Sequence, residues 1–392
     1  MLVISHACFM AINRKVYQLL LREGWELELV VPETMNFPTG ALAAQPPAAG
    51  DPPIHYLPLK GDNPRTYYYE GLTALLEQKR PALVLLDNDP VSRMAGETGS
   101  WCRSHQSALF CISCENLPLD IMDAIRRRGV KNLPAAILKR WMLRRNRAYV
   151  DGVFCINNDG KRIFEAEGFR QVSHMPLGYD PAVFFPNETA GKVIRQRHGF
   201  NTKVIAYFGR LTPEKGIHIL ISALGQLKDR QWQLMMDHFD EYASPYHKEI
   251  KQAISEAGIT DRVVFVNPDH VEIADYMNAA DIIVVPSLSV PNWKEQYGRV
   301  AAEGMACGRT VIASGSGALP ELLGGHGLLF REGDVKALAA LLDQCLTGPP
   351  PEMPDSARIA RYAQEKLSIY QQAKVLERAF ESFGLSGQPV LS

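Results

Sequence analysis

The sequence lacks the features that mark several large classes of protein. No apolar run approaches the ~18 residues of a membrane span, and the first ten residues, MLVISHACFM, have no basic leader before their apolar stretch, unlike a secretory signal. The 42 Lys and Arg residues are balanced by 43 Asp and Glu residues, so the net charge of −1 gives no reason to expect a nucleic-acid partner. Only seven cysteines are scattered over 392 residues, which suits a reducing cytoplasm better than a disulfide framework. We therefore expect a soluble, cytoplasmic protein.

The first half of the chain has the pattern of a parallel α/β sheet. With 46% hydrophobic and 22% charged residues, the composition is that of a folded protein, and the length predicts two or three domains. The run LVISH, a helical stretch over 11–23 and the run LELVV form a βαβ unit, and the proline-rich segment 38–53 predicts a loop. Further buried-type strands are predicted at 82–87, 108–113 and 152–157.

The same pattern starts again after residues 175–187. The second set of predicted strands covers 204–210, 233–237, 262–266, 281–287 and 310–314. Strands that alternate with helical stretches indicate a second doubly wound domain, and the segment GPPPEMP (348–354) precedes two terminal helices, the last over about 368–383. We expect an N-terminal domain over 1–185, a C-terminal domain over 186–365 and a terminal helical segment over 366–392.

The densest chemical signal lies in residues 286–323. A strand ends at Pro286, and a helix is predicted from Gly298 to Gly308, with Glu295 before it and Glu303 inside it. Helix N-termini attract anions, so two carboxylates around one suit a ligand with hydroxyl groups at both ends and phosphate in the middle. A sugar nucleotide has this shape.

A second signal lies in YFGRLTPEKG. The predicted strand brings Gly209 and Arg210 to its carboxyl end, where open α/β sheets bind ligands, and Lys215 precedes the next helix. Arg210 offers a bidentate fork and Lys215 a point charge for phosphate oxygens. Each piece alone is more simply interpreted as a solvated helix cap, but together in one domain they favour a functional site.

At these residues the sequence resembles the family-4 glycosyltransferases, which are retaining enzymes of the GT-B fold. The resemblance rests on GRLTPEKG, on EQYGRVAAEGMACGRTVIAS with its Glu-x7-Glu spacing, and on GALPELL followed by GLLF. It implies two Rossmann-like domains facing across a cleft, with the C-terminal helix crossing back to the first, acceptor-side domain. It also implies activity without a metal or another cofactor.

The resemblance assigns roles to the residues that match the family's motifs. Arg210 and Lys215 are expected to hold the donor diphosphate, together with backbone amides near Tyr297 and Gly298. Glu295 is expected to contact the donor sugar, and Glu303 the ribose hydroxyls.

Three segments depart from the family pattern. No glycine lies between Ser5 and Lys15, where most relatives have a Gly-rich loop, and DHFDEYASPYH (237–247) replaces a GxG element that borders the nucleotide. Many relatives have a His after the strand equivalent to 108–113, where this chain has Glu115. Glu115 and His6 are the two candidates for a group near the reacting centre.

Two patterns resemble metal sites and are set aside. The Asp87-x-Asp89 pair has a spacing that can hold Mg²⁺ or Mn²⁺ through substrate phosphates, but the spacing is common by chance. Zinc-like spacing is shown by Cys102, His105, Cys111 and Cys114, but a Cys in a buried strand is usually an ordinary small apolar residue.

Residues 126–147 carry nine basic residues and no acidic one. Arg140, Arg144 and Arg147 share one helical face, and Ile137, Leu138 and Trp141 fall on another. This pattern fits either a solvated basic face on a core helix or an interfacial helix that docks on anionic lipid. Because similar family members often glycosylate lipid-linked acceptors, the resemblance favours docking through 126–147 on the inner face of the membrane.

The residues together with this resemblance therefore imply a retaining, metal-independent hexosyltransferase. It would move a sugar from a nucleotide-diphosphate donor to a sugar or lipid-linked acceptor in polysaccharide or glycoconjugate synthesis. Two alternatives stay open: a non-hydrolysing sugar-nucleotide epimerase and a non-catalytic nucleotide-sugar-binding scaffold.

Overall fold

The computed structural model describes residues 1–37, 40–240, 243–269, 272–348 and 353–385. The chain divides into two units. The first unit consists of Met1–Gly178 and the segment that begins at Ile369, and the second unit runs from Tyr179 to Ser368. These boundaries lie seven residues before and three residues after the predicted ones.

Buried parallel strands form the centre of the first unit. In chain order its strands are β1 (Leu2–Ser5), β2 (Glu28–Pro32), β3 (Thr34–Phe37), β4 (Gly40–Ala43), β5 (Ile54–Leu57), β6 (Leu59–Lys60), β7 (Tyr68–Tyr69), β8 (Leu83–Asp87), β9 (Ala108–Ser113), β10 (Gly152–Cys155) and β11 (Gln171–His174). Seven of them form one sheet in the order β11-β10-β9-β8-β1-β2-β5, with every neighbouring pair parallel. The pairs β3–β4 and β6–β7 are antiparallel and separate from this sheet.

Helices alternate with the strands of this sheet. They are α1 (Lys15–Arg22), α2 (Leu72–Lys79), α3 (Arg93–His105), α4 (Ile121–Arg128), α5 (Leu133–Asn146) and α6 (Asn158–Ala166). Side chains such as Asn157 accept a hydrogen bond from the first turn of the helix that follows, which is how an N-cap starts a helix.

Over its described residues, the second unit repeats the plan with six strands. They are β12 (Lys203–Tyr207), β13 (Trp232–Asp237), β14 (Val263–Val266), β15 (Ile282–Val285), β16 (Thr310–Ser314) and β17 (Leu328–Phe330). The strand order β14-β13-β12-β15-β16-β17 is parallel throughout. From β12 successive strands are added toward one edge, and from β15 toward the other, so the winding of the sheet reverses between β12 and β15. The helices are α7 (Glu188–His198), α8 (Ile217–Leu224), α9 (Pro245–Glu256), α10 (Ile273–Ala279), α11 (Arg299–Ala306), α12 (Leu319–Leu323), α13 (Val335–Thr347) and α14 (Ser356–Leu367).

The last helix, α15 (Ile369–Ser382), belongs to the first unit. The buried ring of Phe380 makes edge contacts with Trp25 at 5.4 Å and Phe110 at 5.9 Å between ring centroids. The Trp25 indole N–H also donates to Glu377 at 3.2 Å. This packing confirms the prediction of a terminal helix that returns to the first domain.

The loop after β1 folds differently from the helix predicted over 11–23. Short 3-10 turns occupy Ala7–Phe9 and Ala11–Arg14, and α1 begins only at Lys15. The fully buried Arg14 stabilises these turns, because its Nε donates to the Cys8 carbonyl at 2.8 Å and its Nη1 pairs with Asp51 at 2.9 Å. A buried ion pair therefore shapes the loop in which the expected glycines are missing.

The structure confirms several predicted strands and adds others. The predicted strands within 82–87, 108–113 and 152–157 are confirmed as β8, β9 and β10, whereas β5, β11 and β17 had not been predicted. The proline-rich segment 38–53 supplies the hairpin strand β4 and no strand of the main sheet; residues 38–39 within it, and 349–352 within GPPPEMP, lie outside the described residues. In the described ranges, none of the helices has the length and apolar character needed to cross a membrane.

Candidate functional site

The candidate site in the second unit lies where the winding of its sheet reverses. The strands β12 and β15 are hydrogen-bonded neighbours, with Ile205 opposite Ile282. In an open α/β sheet, ligands bind outside the carboxyl ends of the strands at this reversal. The loops that leave these two strands there carry Gly209, Arg210 and Lys215 from β12 and Glu295 from β15. The topology thus brings the two sequence signals to one place.

Lys215 and Glu295 are in direct contact. The Lys215 Nζ lies 2.7 Å from Oε2 of Glu295, and the Ser287 hydroxyl donates to the same oxygen at 2.8 Å. The Glu295 side chain is 8% exposed and that of Lys215 is 21% exposed. Burying a carboxyl group is costly unless such partners form hydrogen bonds with it. The two residues assigned to diphosphate and sugar are therefore neighbours in a fixed arrangement.

Glycines allow the loops around this pair to approach each other closely. Gly216 follows Lys215 with a φ of +70°, and a Cβ atom there would lie 1.9 Å from the Pro286 carbonyl oxygen. Gly317 has a φ of +53°, and a Cβ atom there would lie 1.9 Å from the Glu295 carbonyl oxygen. Any larger residue would push the loops apart.

Gly209 and Arg210 lie at the carboxyl end of β12. The Gly209 N–H donates to the Asp237 carboxylate at 3.2 Å, and the Arg210 carbonyl accepts from the Tyr207 hydroxyl at 3.1 Å. Burial raises the pKa of Asp237, an effect that the Gly209 N–H opposes. The Arg210 side chain is exposed and forms no ion pair with a described residue. Its guanidinium is thus available to an anion.

The start of α11 completes this region. Gly298 caps the helix with a φ of +96°, and among the described residues no side chain caps its N-terminus. The positive end of the dipole of such a helix favours negative charge. Before it, the buried Tyr297 hydroxyl has no hydrogen-bond partner among the described residues, and burial raises the pKa of this phenol.

Glu303 lies within α11 and is partly buried. Burial raises the pKa of Glu303 to about 7, against the opposing charge of Arg299. Its carboxylate forms no ion pair within the described part of the chain. Glu303 therefore changes charge near neutral pH.

The loop between β15 and α11 is held by residues that the sequence did not single out. The Ser289 hydroxyl donates to Glu332 at 2.9 Å, and the Glu295 N–H donates to the Ser316 hydroxyl at 3.4 Å. The ring of Trp293 lies 4.8 Å from the Lys215 Nζ, measured to the ring centroid. In the sequence, only the serines of PSLS and SGSG could have indicated these hydrogen bonds, and small polar residues are too common in loops to be informative.

The first unit holds a separate cluster around Glu115. The Glu115 carboxylate, 7% exposed, pairs with Lys139 at 2.8 Å and Arg65 at 3.1 Å. Burial alone would raise the pKa of Glu115, but Lys139 and then Arg65 hold it below its ordinary value. Asp89 is partly buried and accepts a hydrogen bond from Ser113; burial and the charge of Glu115 raise its pKa. Glu115 is thus ionised and engaged by two cations.

His6 lies at the corresponding reversal of the first sheet, between β1 and β8. Its ring makes an edge contact with Tyr67, with 5.6 Å between centroids. Next to it, the Ser5 hydroxyl donates to Asp87 at 2.6 Å. The described residues contain no group of three or more His, Cys, Asp or Glu side chains arranged to hold a metal ion.

The basic segment 126–147 forms the hairpin of α4 and α5, named here the basic hairpin. Several of its cations are paired, including Arg127 with Asp123 and Arg140 with Glu167. Three of its apolar side chains are exposed, with exposed fractions of 50% for Ile137, 56% for Leu138 and 55% for Trp141, whereas Leu143 is buried in the core. The helix α5 thus packs on the core through other residues and leaves these three apolar side chains uncovered.

The second unit carries a sequence similarity to known proteins. Residues 192–366 match the family model described as "Glycosyl transferases group 1", which confirms the predicted resemblance to a glycosyltransferase family. Mannosylfructose-phosphate synthase of Agrobacterium fabrum is 30% identical over 42% of this chain and 37% of that protein. A GDP-mannose-dependent alpha-(1-6)-phosphatidylinositol monomannoside mannosyltransferase of Mycolicibacterium smegmatis is 30% identical over 45% of this chain and 48% of its own. The matches thus span about half or less of these two relatives.

The fold has solved counterparts over nearly the whole chain. Anabaena HepE in complex with UDP and glucose superposes with a TM-score of 0.68 at 20% identity, covering 97% of this chain and 99% of that one. This likeness confirms the predicted fold class of two doubly wound α/β domains with a returning C-terminal helix.

Proposed function

We propose, from the match of residues 192–366 to the glycosyl transferases group 1 family model, that this chain is a retaining glycosyltransferase. It would move a hexosyl group from a nucleotide-diphosphate donor to a sugar or lipid-linked acceptor. The observation that carries the proposal is the contact between Lys215 and Glu295 at the winding reversal of the second sheet. A cation for phosphate and a carboxylate for sugar hydroxyls are held there side by side.

The cations of the site suit the leaving group of such a transfer. When the bond between sugar and diphosphate breaks, negative charge grows on the diphosphate oxygens. Lys215, Arg210 and the positive end of the α11 dipole would stabilise that charge. Because the chain itself supplies these charges, we propose that no metal ion is needed for this step.

The two glutamates would bind the hydroxyl groups on either side of the diphosphate. Glu295 is held by Lys215 and Ser287, so its orientation toward a sugar is fixed before binding. Glu303 would accept hydrogen bonds from the ribose, which its ionised form can do with both oxygens. A ligand held at both ends keeps its reacting bond in one place, which favours reaction.

The first unit would provide the acceptor side. Its sheet has its own winding reversal beside His6, and the ion-paired Glu115 follows β9 of the same sheet. We propose that Glu115 contacts the acceptor as a carboxylate, since its two cations keep it ionised.

A lipid-linked acceptor would place the enzyme at the inner face of the membrane. The basic hairpin supports this proposal, because it exposes Trp141, Ile137 and Leu138 next to basic side chains. Anionic lipid attracts each basic residue near its surface by about 1 kcal/mol. One relative named above also has a phosphatidylinositol monomannoside in its name.

Vesicle co-sedimentation tests this docking. The chain should bind vesicles of phosphatidylcholine mixed with phosphatidylglycerol and should not bind phosphatidylcholine alone. Replacing Arg144, Arg145 and Arg147 by Glu should abolish binding, since three lost attractions of about 1 kcal/mol already weaken it more than a hundredfold. The control makes the same charge change at three exposed lysines of the second unit: Lys192, Lys248 and Lys336. Equal loss in both triple variants would contradict docking through the hairpin.

A panel of nucleotide sugars tests the activity itself. A ligand that binds only the folded protein raises the melting temperature, so the panel, run with and without EDTA, identifies the donor and any need for metal. Incubation of the bound donor without acceptor then separates the alternatives. Conversion of the donor alone would indicate an epimerase, and binding without transfer to any acceptor would indicate a scaffold.

A further inference from the structure

We propose that Trp293 is a positioning residue that fixes the Lys215 ammonium for the donor diphosphate. This inference rests on the proposed function and adds to it a residue outside the motifs that support the family resemblance. The observation behind it is the location of the Lys215 Nζ, which lies 4.8 Å from the centroid of the Trp293 ring while it bonds to Glu295 at 2.7 Å.

The physical basis is the attraction between a cation and an aromatic face. A lysine side chain has four rotatable bonds, so one ion pair leaves its ammonium several possible positions. An indole ring within about 6 Å of the ammonium attracts it through the ring quadrupole. With Glu295 as one partner and Trp293 as the other, the Nζ is confined to the space between them.

The turn that carries Trp293 is itself held in place. The N–H of Val290 donates to the Trp293 carbonyl at 2.8 Å, and the Trp293 N–H donates back to Val290 at 3.1 Å. On one side of this turn, Ser289 is bonded to Glu332 through both its hydroxyl and its N–H; on the other, the Glu295 N–H donates to Ser316. The indole is thus attached to a segment bonded on both sides.

The backbone of Lys215 is tied to the same loop. The Leu288 N–H donates to the Glu214 carbonyl at 2.7 Å, directly before Lys215 in the chain. Gly216, directly after it, lies against the Pro286 carbonyl. Backbone and ammonium are therefore both positioned by residues 286–295, and removing the indole leaves only the ion pair to hold the side chain.

The test measures diphosphate affinity by calorimetric titration of the full chain with UDP, GDP and ADP. With the diphosphate that binds the wild type, Trp293→Leu should weaken affinity about 3- to 20-fold, the range expected for losing a cation–π contact. Trp293→Phe retains an aromatic face and should lose less. The control is Tyr370→Leu, the loss of an exposed aromatic ring from α15, which should leave the affinity unchanged.

A second set of titrations separates positioning from a structural role. If Trp293 acts through Lys215, then Trp293→Leu should cost no further affinity in a Lys215→Ala background. An unchanged affinity for Trp293→Leu in the wild-type background, or an equal loss in both backgrounds, would overturn the inference. If the wild type binds none of the three diphosphates, the proposed function fails and the inference fails with it. If the wild type binds and only Lys215→Ala loses affinity, the inference alone fails.

Discussion

Glu303 should make donor binding depend on pH in the neutral range. Its pKa is raised to about 7 by burial, and its proposed role is to accept hydrogen bonds from ribose as a carboxylate. With that pKa, about a tenth of the molecules have an ionised Glu303 at pH 6 and about nine tenths at pH 8. If only the ionised form binds ribose, donor affinity should rise about tenfold between these two pH values.

Ionisation of Glu303 should strengthen donor binding but lower the folding stability. Burial favours the protonated carboxyl in the folded chain, so the contribution of Glu303 to stability is complete below its ordinary pKa near 4.5 and is lost as the pH rises through about 7. The shift corresponds to on the order of 3 kcal/mol. The unliganded protein should therefore melt at lower temperature at pH 8 than at pH 6, while donor binding strengthens.

Glu303→Gln is the variant that tests this linkage. Glutamine has nearly the same shape and does not titrate, so the variant should bind the donor weakly and with little pH dependence between pH 6 and 8. Both proteins are titrated calorimetrically with the nucleotide sugar identified by the panel, which gives the slope of donor affinity against pH for each. Any change in the protonation of the ligand itself affects both slopes equally. Identical slopes in the wild type and the variant would refute the role given to Glu303.

Two further predictions concern the loops of the second unit. Lys215→Ala should lower the rate of sugar transfer ~10²-fold or more, as expected for losing one charge-stabilising donor, whereas Lys192→Ala on exposed α7 should transfer normally; near-normal transfer by the first variant would exclude the phosphate role. Gly216→Ala should lower the free energy of unfolding by about 2 kcal/mol or more. In Gly199→Ala, the φ of +67° is similar but the added Cβ meets nothing within 4 Å, so denaturant unfolding should show a smaller loss; equal losses would mean that loop contact is unimportant.

The central strands and the second-unit motif could be predicted from sequence because their signals are local. Buried parallel strands such as β8 and β9 are continuous apolar runs, visible without knowledge of their neighbours. The residues after β12 and β15 could be placed at strand ends for the same reason. That they form one site was inferred from their common place at strand ends of one domain, and the order of the strands supplies the physical cause, since β12 and β15 are neighbours at the winding reversal.

The unpredicted features depend on partners that are distant in sequence. Strands β11 and β17 lie at the edges of their sheets and are only four and three residues long, too short to show a period. The loop after β1 is shaped by the buried pairing of Arg14 with Asp51, 37 residues away. The exposure of Trp141 depends on which helix face the fold leaves uncovered, and its helical spacing fits a core face equally well.

The stereochemistry of the transferred sugar tests the central claim most directly. Wild-type protein is incubated with its donor and an acceptor in the presence of EDTA, and the new glycosidic bond is examined by NMR. The account predicts transfer without added metal and a product with the same anomeric configuration as the donor. An inverted configuration, a strict need for metal, or an isomerised donor with no glycoside formed would contradict it.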